Sequence, residues 1–390
     1  MPPALSGGVL MRPLATAILL WASVAYGTAV DGDWPSFRGD SQLTGMAPAF
    51  PPGRLRLAWT LDTAMTVAPD SARGIDAGIE STAAVVAGKV YVGTLDGRFL
   101  AVDLTDGELL WTFDVGAEVK SSPAVGGGQV FFGDEDGTFH ALDAQTGTEN
   151  WTFAAAAAIT SSANLAGDRV VFGSYDNRLY CLSATEGSLL WKVQTKGYIH
   201  ASPALFDAAV VTAGCDGKLR LVDLIDGGEL TTIDLGSYVA ASCAVSEGHA
   251  YVGTFAEEVV SIDLAGGEVV WRYRHPERTF PFYASAAVAE DLIIVGGRDK
   301  MLHAIDRHTG EARWVFAAGA RIDSSPVIAG QRVFFASARG RIHAIDRDTG
   351  DETWSFDTGS SIAASPAVAN TRLVIGDLDG TLYCFAGGTD

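Results

Sequence analysis

Three observations predict that this 390-residue chain is an all-β propeller of eight four-stranded blades. A phrase ending in tryptophan recurs about every forty residues along the chain. Each repeat contains four short apolar runs that are separated by turn signals. No stretch after residue 30 has a convincing helical period. Strand-rich repeats of about forty residues are typical of propeller blades, each of which needs its neighbours to bury its faces.

The repeated phrase is clearest in residues 303–316, HAIDRHTGEARWVF, and in residues 343–356, HAIDRDTGDETWSF. In this phrase, the Asp side chain can hold its own turn while the Gly makes the reversal. Thr231 fills the one gap in the tryptophan series. The tryptophans of the repeat are Trp111, Trp151, Trp191, Trp271, Trp314 and Trp354. Because the phrase recurs at a fixed register, we expect it to form the joint between neighbouring blades.

The strand that each repeat contributes first gives the number of blades. Eight such strands are predicted to begin near Ile79, Val119, Ile159, Ile199, Val239, Phe282, Ile322 and Ile362. The last repeat ends at Cys384 and Phe385 without its tryptophan strand, whereas LAWTLD around Trp59 is an unpaired strand near the start. A strand from the N-terminal side that completes the last blade would close the ring and protect its edges. The predicted propeller therefore spans residues 57–390.

The beginning of the chain has a different composition. Arg12 is followed by the apolar stretch PLATAILLWASVA and by small residues near Ala25, which is typical of a signal peptide in residues 1–30. Met11 is an alternative start. No Cys lies near the cleavage region, so we expect an exported protein without a lipid anchor, with a leader arm over residues 31–56 and no membrane span in the mature chain.

Charge and cysteine content exclude several functions. The 27 basic and 47 acidic residues give a net charge of −20, which disfavours binding to nucleic acid. The four cysteines form no CxxC pair, so metal and redox motifs are not indicated. The sequence allows either a disulfide between Cys181 and Cys215 or buried free thiols. His140, His303 and His343 occupy one repeat position on separate blades, which does not favour zinc.

The A-x-D-x-x-T-G-x-x-x-W phrase resembles the tryptophan-docking motif of pyrroloquinoline-quinone (PQQ)-type propellers over nearly the whole mature chain. The segment DWPSFRGDSQLTG, residues 33–45, is similar to the leader that often precedes such propellers. This resemblance implies one of two functions. One subfamily contains quinoprotein alcohol dehydrogenases, which hold PQQ and Ca²⁺ at the mouth of the ring. The other contains non-enzymatic propellers such as BamB, a component of the outer-membrane β-barrel assembly machine.

The residues favour the non-enzymatic subfamily. The dehydrogenases share an adjacent Cys-Cys pair, a stacking Trp and a Glu/Asn/Asp calcium cluster, and none of these features stands out in the sequence. Outside the repeat joint, only Trp21 and Trp34 remain. We therefore expect no cofactor and a monomeric protein-binding scaffold in the periplasm or cell envelope, with an envelope or extracellular protein as partner. The alternative is a PQQ-dependent dehydrogenase that acts on alcohols or sugars.

Comparison of the eight first strands separates constant from variable positions. The third position after each conserved apolar residue varies little, because residues 82, 122, 162, 202, 242, 285, 325 and 365 are all Ser or Thr. One position between the constants changes from blade to blade: Glu80, Lys120, Thr160, His200, Ala240, Tyr283, Asp323 and Ala363. We expect this set to form a ring at one mouth of the channel. It is either a binding surface or a solvated strand start that tolerates variation.

Two long links enter the same predicted mouth, at residues 63–78 and residues 274–283. The second contains arginine and aromatic residues, which often carry binding energy at interfaces. Alternatively, Phe280 and Phe282 cap the channel as ordinary core. The candidate partner-binding residues are Glu80, Lys120, His200, Arg274, His275, Arg278, Phe280, Tyr283, Arg321 and Asp323. The candidate docking residues are Trp59 and the six tryptophans of the repeat, and no catalytic residue is predicted.

Overall fold

A computed structural model describes residues 32–48, residue 50, residues 53–66 and residues 77–388. These residues form eight sheets, which are the predicted blades. Each blade has four antiparallel strands, and a short leader strand adds a fifth, parallel strand to one of them. The predicted signal peptide and residues 67–76 of the first long link lie outside the described residues. Within the described ranges, no helix is long and apolar enough to cross a membrane.

Blades 1–4 follow one another along the chain. Their strands are Ala84–Val86, Lys89–Gly93, Arg98–Asp103 and Leu109–Asp114 in blade 1; Ala124–Gly126, Gln129–Gly133, Thr138–Asp143 and Glu149–Ala154 in blade 2; Asn164–Ala166, Arg169–Ser174, Arg178–Ser183 and Leu189–Gln194 in blade 3; and Ala204–Phe206, Ala209–Ala213, Lys218–Asp223 and Glu229–Asp234 in blade 4.

Blades 5–8 have the same order except at the end. Their strands are Ala244–Ser246, His249–Gly253, Val259–Asp263 and Glu268–Tyr273 in blade 5; Ala287–Val288, Leu292–Gly296, Met301–Asp306 and Ala312–Ala317 in blade 6; Val327–Ala329, Arg332–Ala336, Arg341–Asp346 and Glu352–Asp357 in blade 7; and Ala367–Ala369, Arg372–Gly376, Thr381–Gly387 and the early strand Leu55–Asp62 in blade 8. A short 3₁₀ helix, Thr63–Thr66, follows that early strand.

The early strand closes the ring as predicted. Leu55–Asp62 pairs antiparallel with Thr381–Gly387, and Trp59 lies opposite Cys384. The strand begins at Leu55, two residues before the predicted start of the propeller at residue 57. Because the outermost strand of blade 8 comes from the start of the chain, hydrogen bonds between distant parts of the sequence hold the ring shut.

The innermost strands begin later than the sequence predicted. In blade 1, the strand starts at Ala84, five residues after Ile79. Side chains account for the difference, since the N–H of Thr82 donates to Oγ of Ser122 at 3.0 Å and not to a neighbouring strand. The same bond joins each blade to the next, and Ser365 N–H closes the circle on Thr82 Oγ1 at 3.3 Å. This closed circle of eight hydroxyls, which we call the hydroxyl ring, consists of Thr82, Ser122, Ser162, Ser202, Ser242, Ser285, Ser325 and Ser365.

The tryptophans lie at the joints between blades, as predicted. Trp111 Nε1–H, for example, donates to the carbonyl of Ala144 in blade 2 at 3.3 Å, and its ring lies against Gly147. A side chain at Gly147 would collide with the indole, and the backbone there has φ of +71°, so glycine is needed for two reasons. The same bond is made by Trp59, Trp151, Trp191, Trp271 and Trp314. Trp354 instead meets Phe385 of blade 8 edge-on, with ring centroids 5.3 Å apart.

The core lies between the faces of neighbouring blades. Phe99 of blade 1 stacks on Phe132 of blade 2, with ring centroids 4.1 Å apart, and Phe139 stacks in the same way on Phe172 of blade 3 at 4.0 Å. All four side chains are fully buried. Because each blade buries its faces against two neighbours, stability is built up from equivalent interfaces.

The leader arm crosses one end of the channel. The backbones of Trp34 and Val85 exchange two hydrogen bonds, and the carbonyls of Ser41 and Thr44 accept from Leu205 and Val288 on distant blades. Met46–Ala47 then pairs in parallel with the innermost strand of blade 7. Since the leader bonds to residues that follow the hydroxyl ring along each innermost strand, it closes the channel on the side away from the variable positions.

Candidate binding site at the mouth of the channel

Seven of the eight variable positions of the first strands, all except Ala240, line one cavity of about 340 Å³ at the open mouth of the channel. The hydroxyl ring forms its inner wall, and Phe37 of the leader reaches it from below. Six of the predicted site residues meet here: Glu80, Lys120, His200, Tyr283, Arg321 and Asp323. Their role in binding stays a prediction.

A second variable ring surrounds the first. In each blade, the residue that begins the hairpin between the second and third strands donates its N–H to the carbonyl just before the conserved apolar residue; Tyr175, for example, donates to Ala158 at 2.9 Å. The members of this outer ring are Leu95, Glu135, Tyr175, Cys215, Phe255, Arg298, Ala338 and Leu378. Sequence reasoning missed these residues, although the repeat comparison that found the first ring would also have found them.

On blades 2 and 3, the two rings meet in a charged cluster. Lys120 Nζ lies 2.8 Å from Glu118 and 3.4 Å from Glu135. Glu135 also accepts a hydrogen bond from Thr160 Oγ1 at 3.0 Å. Burial opposes the charge of Lys120, but its hydrogen bonds to the two carboxylates and their attraction outweigh burial and raise the pKa of Lys120. This ammonium group is therefore held in place and remains charged at neutral pH.

His200 joins two tyrosines across the middle of the mouth. The Tyr175 hydroxyl lies 2.8 Å from Nδ1 of His200, and the Tyr283 hydroxyl lies 3.2 Å from Nε2. Burial lowers the pKa of His200. A neutral imidazole has one N–H donor and one acceptor nitrogen, so it can serve one tyrosine in each role.

Blades 6 and 7 contribute a cationic cluster. The Arg298 guanidinium lies over the Tyr283 ring, 4.2 Å from its centroid, and its Nε donates to Asp323 at 2.7 Å. Arg321 reaches the other oxygen of Asp323 at 3.1 Å while its side chain remains exposed. One carboxylate is thus shared by two guanidinium groups, which fixes both in place and leaves this side of the mouth positive.

The structure divides the residues of the 274–283 loop into three groups. Arg274 is tied to Glu258 at 3.0 Å, and the His275 ring packs edge-on against His303 with centroids 5.6 Å apart. Phe282 is core, because only 2% of it is exposed. Arg278 is exposed, and so is Phe280, at 52%. Of the predicted loop residues, Arg278 and Phe280 are therefore the two that a partner can reach freely. The alternative that the two phenylalanines are ordinary core holds for Phe282 and not for Phe280.

Among the described residues that line the mouth cavity, there is no tryptophan and no cysteine. The tryptophans of the described residues lie at the blade joints, apart from Trp34, which is buried in the leader beside Val85. Asp323 pairs with Arg298 and Arg321, and Glu135 pairs with Lys120. In the described ranges, no group of three or more His, Cys, Asp or Glu residues could hold a metal ion.

The cysteines and the repeated histidines have structural surroundings. Cys181, Cys215, Cys243 and Cys384 are free thiols. His140 and His303 each pair with an aspartate of their own blade, at 3.0 Å and 3.1 Å, and His343 pairs with Glu352 at 2.7 Å. These histidines lie on three different blades, so each belongs to the packing of its own sheet.

The family can be stated from the repeats. A family model described as outer membrane protein assembly factor BamB matches residues 53–197, 141–273, 215–320 and 257–389, which together cover the propeller. The chain belongs to this family. The matches overlap because a repeated structure can be aligned with the BamB family in several registers. No curated protein sequence is significantly similar to the chain.

The solved structures that share the architecture of this BamB-family chain include a BamB, a dehydrogenase and a designed protein. BamB from Moraxella catarrhalis has a TM-score of 0.71 and 18% identity, and the match covers 87% of this chain and 99% of that one. A europium-containing methanol dehydrogenase has a TM-score of 0.73 and 14% identity, with coverage of 92% and 98%. The computationally designed Ika8 protein has a TM-score of 0.70 and 20% identity, with coverage of 80% and 100%. Identities this low show the fold alone, so function must be argued from the mouth.

Proposed function

We propose that this BamB-family propeller is an exported, non-catalytic scaffold that binds a protein partner in the cell envelope through the mouth of its channel. The observation that carries this proposal is the contrast between eight nearly equivalent blades and one mouth that mixes acidic, basic and aromatic groups. A rigid repeat scaffold with one non-repeating face is suited to recognition of a single partner.

The mouth is organised before any partner arrives. Lys120, His200 and Asp323 are each held by at least two polar or charged neighbours. A partner therefore has little side-chain entropy to remove when it binds, which favours affinity. The exposed Phe280 and Arg278 stand beside this ordered surface as an aromatic and a cationic contact.

Export is the second part of the proposal. The charged start, apolar centre and small-residue end of residues 1–30 support it. A fusion of residues 1–30 to a reporter that is active only outside the cytoplasm tests it. We expect reporter activity that is lost when two apolar residues of the centre, Leu19 and Leu20, are replaced by Arg.

To test the interface, a photo-crosslinking amino acid replaces Phe280 in the full chain, and this variant is expressed in living bacterial cells. We expect a discrete crosslinked protein, which mass spectrometry identifies. A crosslinker at Leu230, which is exposed on the outer strand of blade 4, is the control and should not capture that protein. Equal capture from both positions would contradict a specific surface at the mouth.

The purified partner then allows a quantitative test. Arg278→Ala with Phe280→Ala should weaken binding by about 2 kcal/mol or more, roughly thirtyfold, without lowering the melting temperature. The matched control is Leu190→Ala with Lys192→Ala, an apolar and a cationic residue exposed on the outer strand of blade 3. If the control weakens binding as much, or if the first variant unfolds early and still binds, the interface lies elsewhere.

The PQQ-dependent dehydrogenase is the alternative that the fold itself permits. Incubation of the purified protein with PQQ and Ca²⁺, followed by a dye-linked assay with alcohols and sugars, distinguishes the two functions. We expect no turnover above a heat-denatured control. Quinone-dependent turnover would overturn the scaffold proposal.

A further inference from the structure

The inner wall of the mouth cavity is a circle of hydroxyl groups whose protons have no acceptor in the described part of the protein. All eight members of the hydroxyl ring line this cavity, and between 3% and 6% of each residue is exposed. Each hydroxyl oxygen accepts a backbone N–H from the preceding blade, so its role in the protein is that of an acceptor. Among the described residues, none of these eight hydroxyls donates a hydrogen bond. Eight O–H groups are therefore left to donate to whatever occupies the cavity.

A buried cation lies directly below this circle. Arg38 of the leader is 1% exposed, and its Nη2 donates to the carbonyls of Pro326 at 2.5 Å and Ala286 at 3.2 Å. These two carbonyls belong to the residues that directly follow Ser325 and Ser285 of the hydroxyl ring. The guanidinium group is thus one residue below the ring on blades 6 and 7.

The charge of Arg38 is only partly compensated. Its Nε and Nη1 have no hydrogen-bond partner within the described part of the chain. The carboxylate of Asp40 is the nearby countercharge, but its oxygens accept from N and Oγ1 of Thr44. Burial lowers the pKa of Arg38 to about 9, against the attraction of Asp40, so the side chain is still cationic at neutral pH. A buried cation with unused donors is costly unless an anion lies near it.

The rim does not cancel this preference for an anion. Two guanidinium groups, of Arg298 and Arg321, share Asp323, whereas Glu118 and Glu135 share Lys120, so the formal charges of the two clusters offset each other. Glu80 is a further acid at the rim, above the hydroxyl ring. A metal cation at the level of the ring would be repelled by the charge of Arg38, whereas an oxyanion would be attracted by that charge and could accept hydrogen bonds from the hydroxyl groups.

We propose that the mouth cavity binds a small oxyanion, of the carboxylate or phosphate class, on the hydroxyl ring at Ser285 and Ser325, with Arg38 as its buried countercharge. The cavity of about 340 Å³ has room for roughly ten water molecules at about 30 Å³ each, so it suits a compact molecule and not a polymer. This site does not depend on the proposed protein partner, because Arg278 and Phe280 play no part in it.

Ligand titration of the full-length mature protein tests the site. Acetate, succinate and inorganic phosphate are titrated by calorimetry at constant ionic strength, with acetamide as a neutral analogue of the carboxylate. We expect saturable binding of at least one oxyanion and none of acetamide; carboxylates and phosphate are distinguished by which of them binds. If no oxyanion binds saturably, the site is occupied by water alone and the proposal fails.

Two matched variants assign the binding to the hydroxyls. Ser285→Ala with Ser325→Ala removes both hydroxyls, whereas Ser285→Thr with Ser325→Thr keeps them, and Thr82 shows that the ring accepts threonine. The Ala variant should bind the oxyanion at least tenfold more weakly, and the Thr variant should stay within about threefold of the native protein. Equal affinity of all three proteins would overturn the assignment.

A second measurement covers the case in which the Ala variant does not fold. Crystals of the native protein are soaked with bromoacetate, and the anomalous scattering of bromine locates the ligand. We expect a peak inside the hydroxyl ring beside Ser285 and Ser325. A peak only on the outer surface, or only water density in the cavity, would contradict the proposal.

Discussion

The blade joints and the mouth of the channel are built from the same repeat but differ in what the repeat keeps constant. At the joints, one contact is used again and again: an indole N–H meets a carbonyl of the next blade, and a glycine lies on the ring. At the mouth, eight equivalent positions carry acid, base, aromatic and small residues. Repetition therefore provides stability at the joints, and its absence provides a distinctive surface at the mouth.

The energetic consequences differ in the same way. A joint residue is fixed by packing that its neighbours share, so its loss opens a void between two blades. A mouth residue is fixed by polar contacts with other mouth residues, which solvent can partly replace. We expect substitutions at the joints to lower stability and substitutions at the variable positions of the mouth to change binding. Four measurements test this difference, from the largest expected effect to the smallest.

The largest effect is expected at a docking tryptophan. Trp191→Ala removes a side chain that is 7% exposed, packs on Gly227 and donates to Leu224, so it leaves a cavity between blades 3 and 4. The free energy of unfolding should fall by about 3–5 kcal/mol in urea denaturation. Leu190→Ala, at the exposed neighbouring position, should change it by less than about 0.5 kcal/mol. Similar values for both variants would contradict a structural role specific to the joint.

The hydroxyl ring should give the next largest effect. In the native protein, the buried N–H of Ser122 donates to Oγ of Ser162 at 2.9 Å, and Ser162→Ala removes this acceptor. The expected loss of stability is about 1–3 kcal/mol, because an unsatisfied buried donor loses its hydration without compensation. Ser162→Thr keeps the oxygen and should be much closer to the native protein. If the two variants are equally stable, the ring of hydrogen bonds contributes nothing measurable.

At the joint without tryptophan, a substitution is expected to increase stability. Thr231 lies 3.4 Å from the position that a side chain at Gly267 would occupy, in the place that an indole fills at other joints. Thr231→Trp should pack on Gly267 and donate to the carbonyl of Leu264, and should raise the free energy of unfolding by about 1 kcal/mol. An unchanged or lower value would show that blades 4 and 5 are packed too closely for the motif.

The smallest effect concerns pH at the mouth. Burial lowers the folded-state pKa of His200 below 6.5, so the unfolded chain binds the proton more readily. The stability that neutral His200 provides is present above pH 6.5 and is lost as the pH falls below it. We measure the free energy of unfolding by urea denaturation at pH 7.5 and pH 5.5. It should fall less between these two pH values in His200→Gln than in the native protein. His343, whose pKa burial also lowers, contributes equally to both proteins. An identical loss in both would show that His200 is not responsible.

The sequence alone determined the blade number, the docking tryptophans and the closing strand around Trp59. It also placed Glu80, Lys120 and Tyr283 at one mouth. These features follow from a period: when each repeat folds alike, equal positions in the sequence become equal positions around an axis. The family resemblance extended this result to a class of protein but did not choose among its functions.

Other features were decided only by the tertiary structure. The sequence shows a constant Ser or Thr at each ring position. Only the folded ring brings together Ser365 of the last blade and Thr82 of the first, which are far apart in the sequence and joined by a hydrogen bond. The same is true of Arg38, which the leader brings beneath blades 6 and 7.

The 274–283 loop shows the physical reason. Phe280 and Phe282 are alike in sequence, yet Phe282 is buried because Gly253 of blade 5 leaves room for it and His303 of blade 6 packs on it. Phe280 has no such neighbours and is half exposed. A repeat in the sequence specifies the local conformation and the register of a blade. The burial of a side chain, the pairing of a charge and the closure of a channel depend on which distant groups arrive beside it, and only the folded ring brings those groups together.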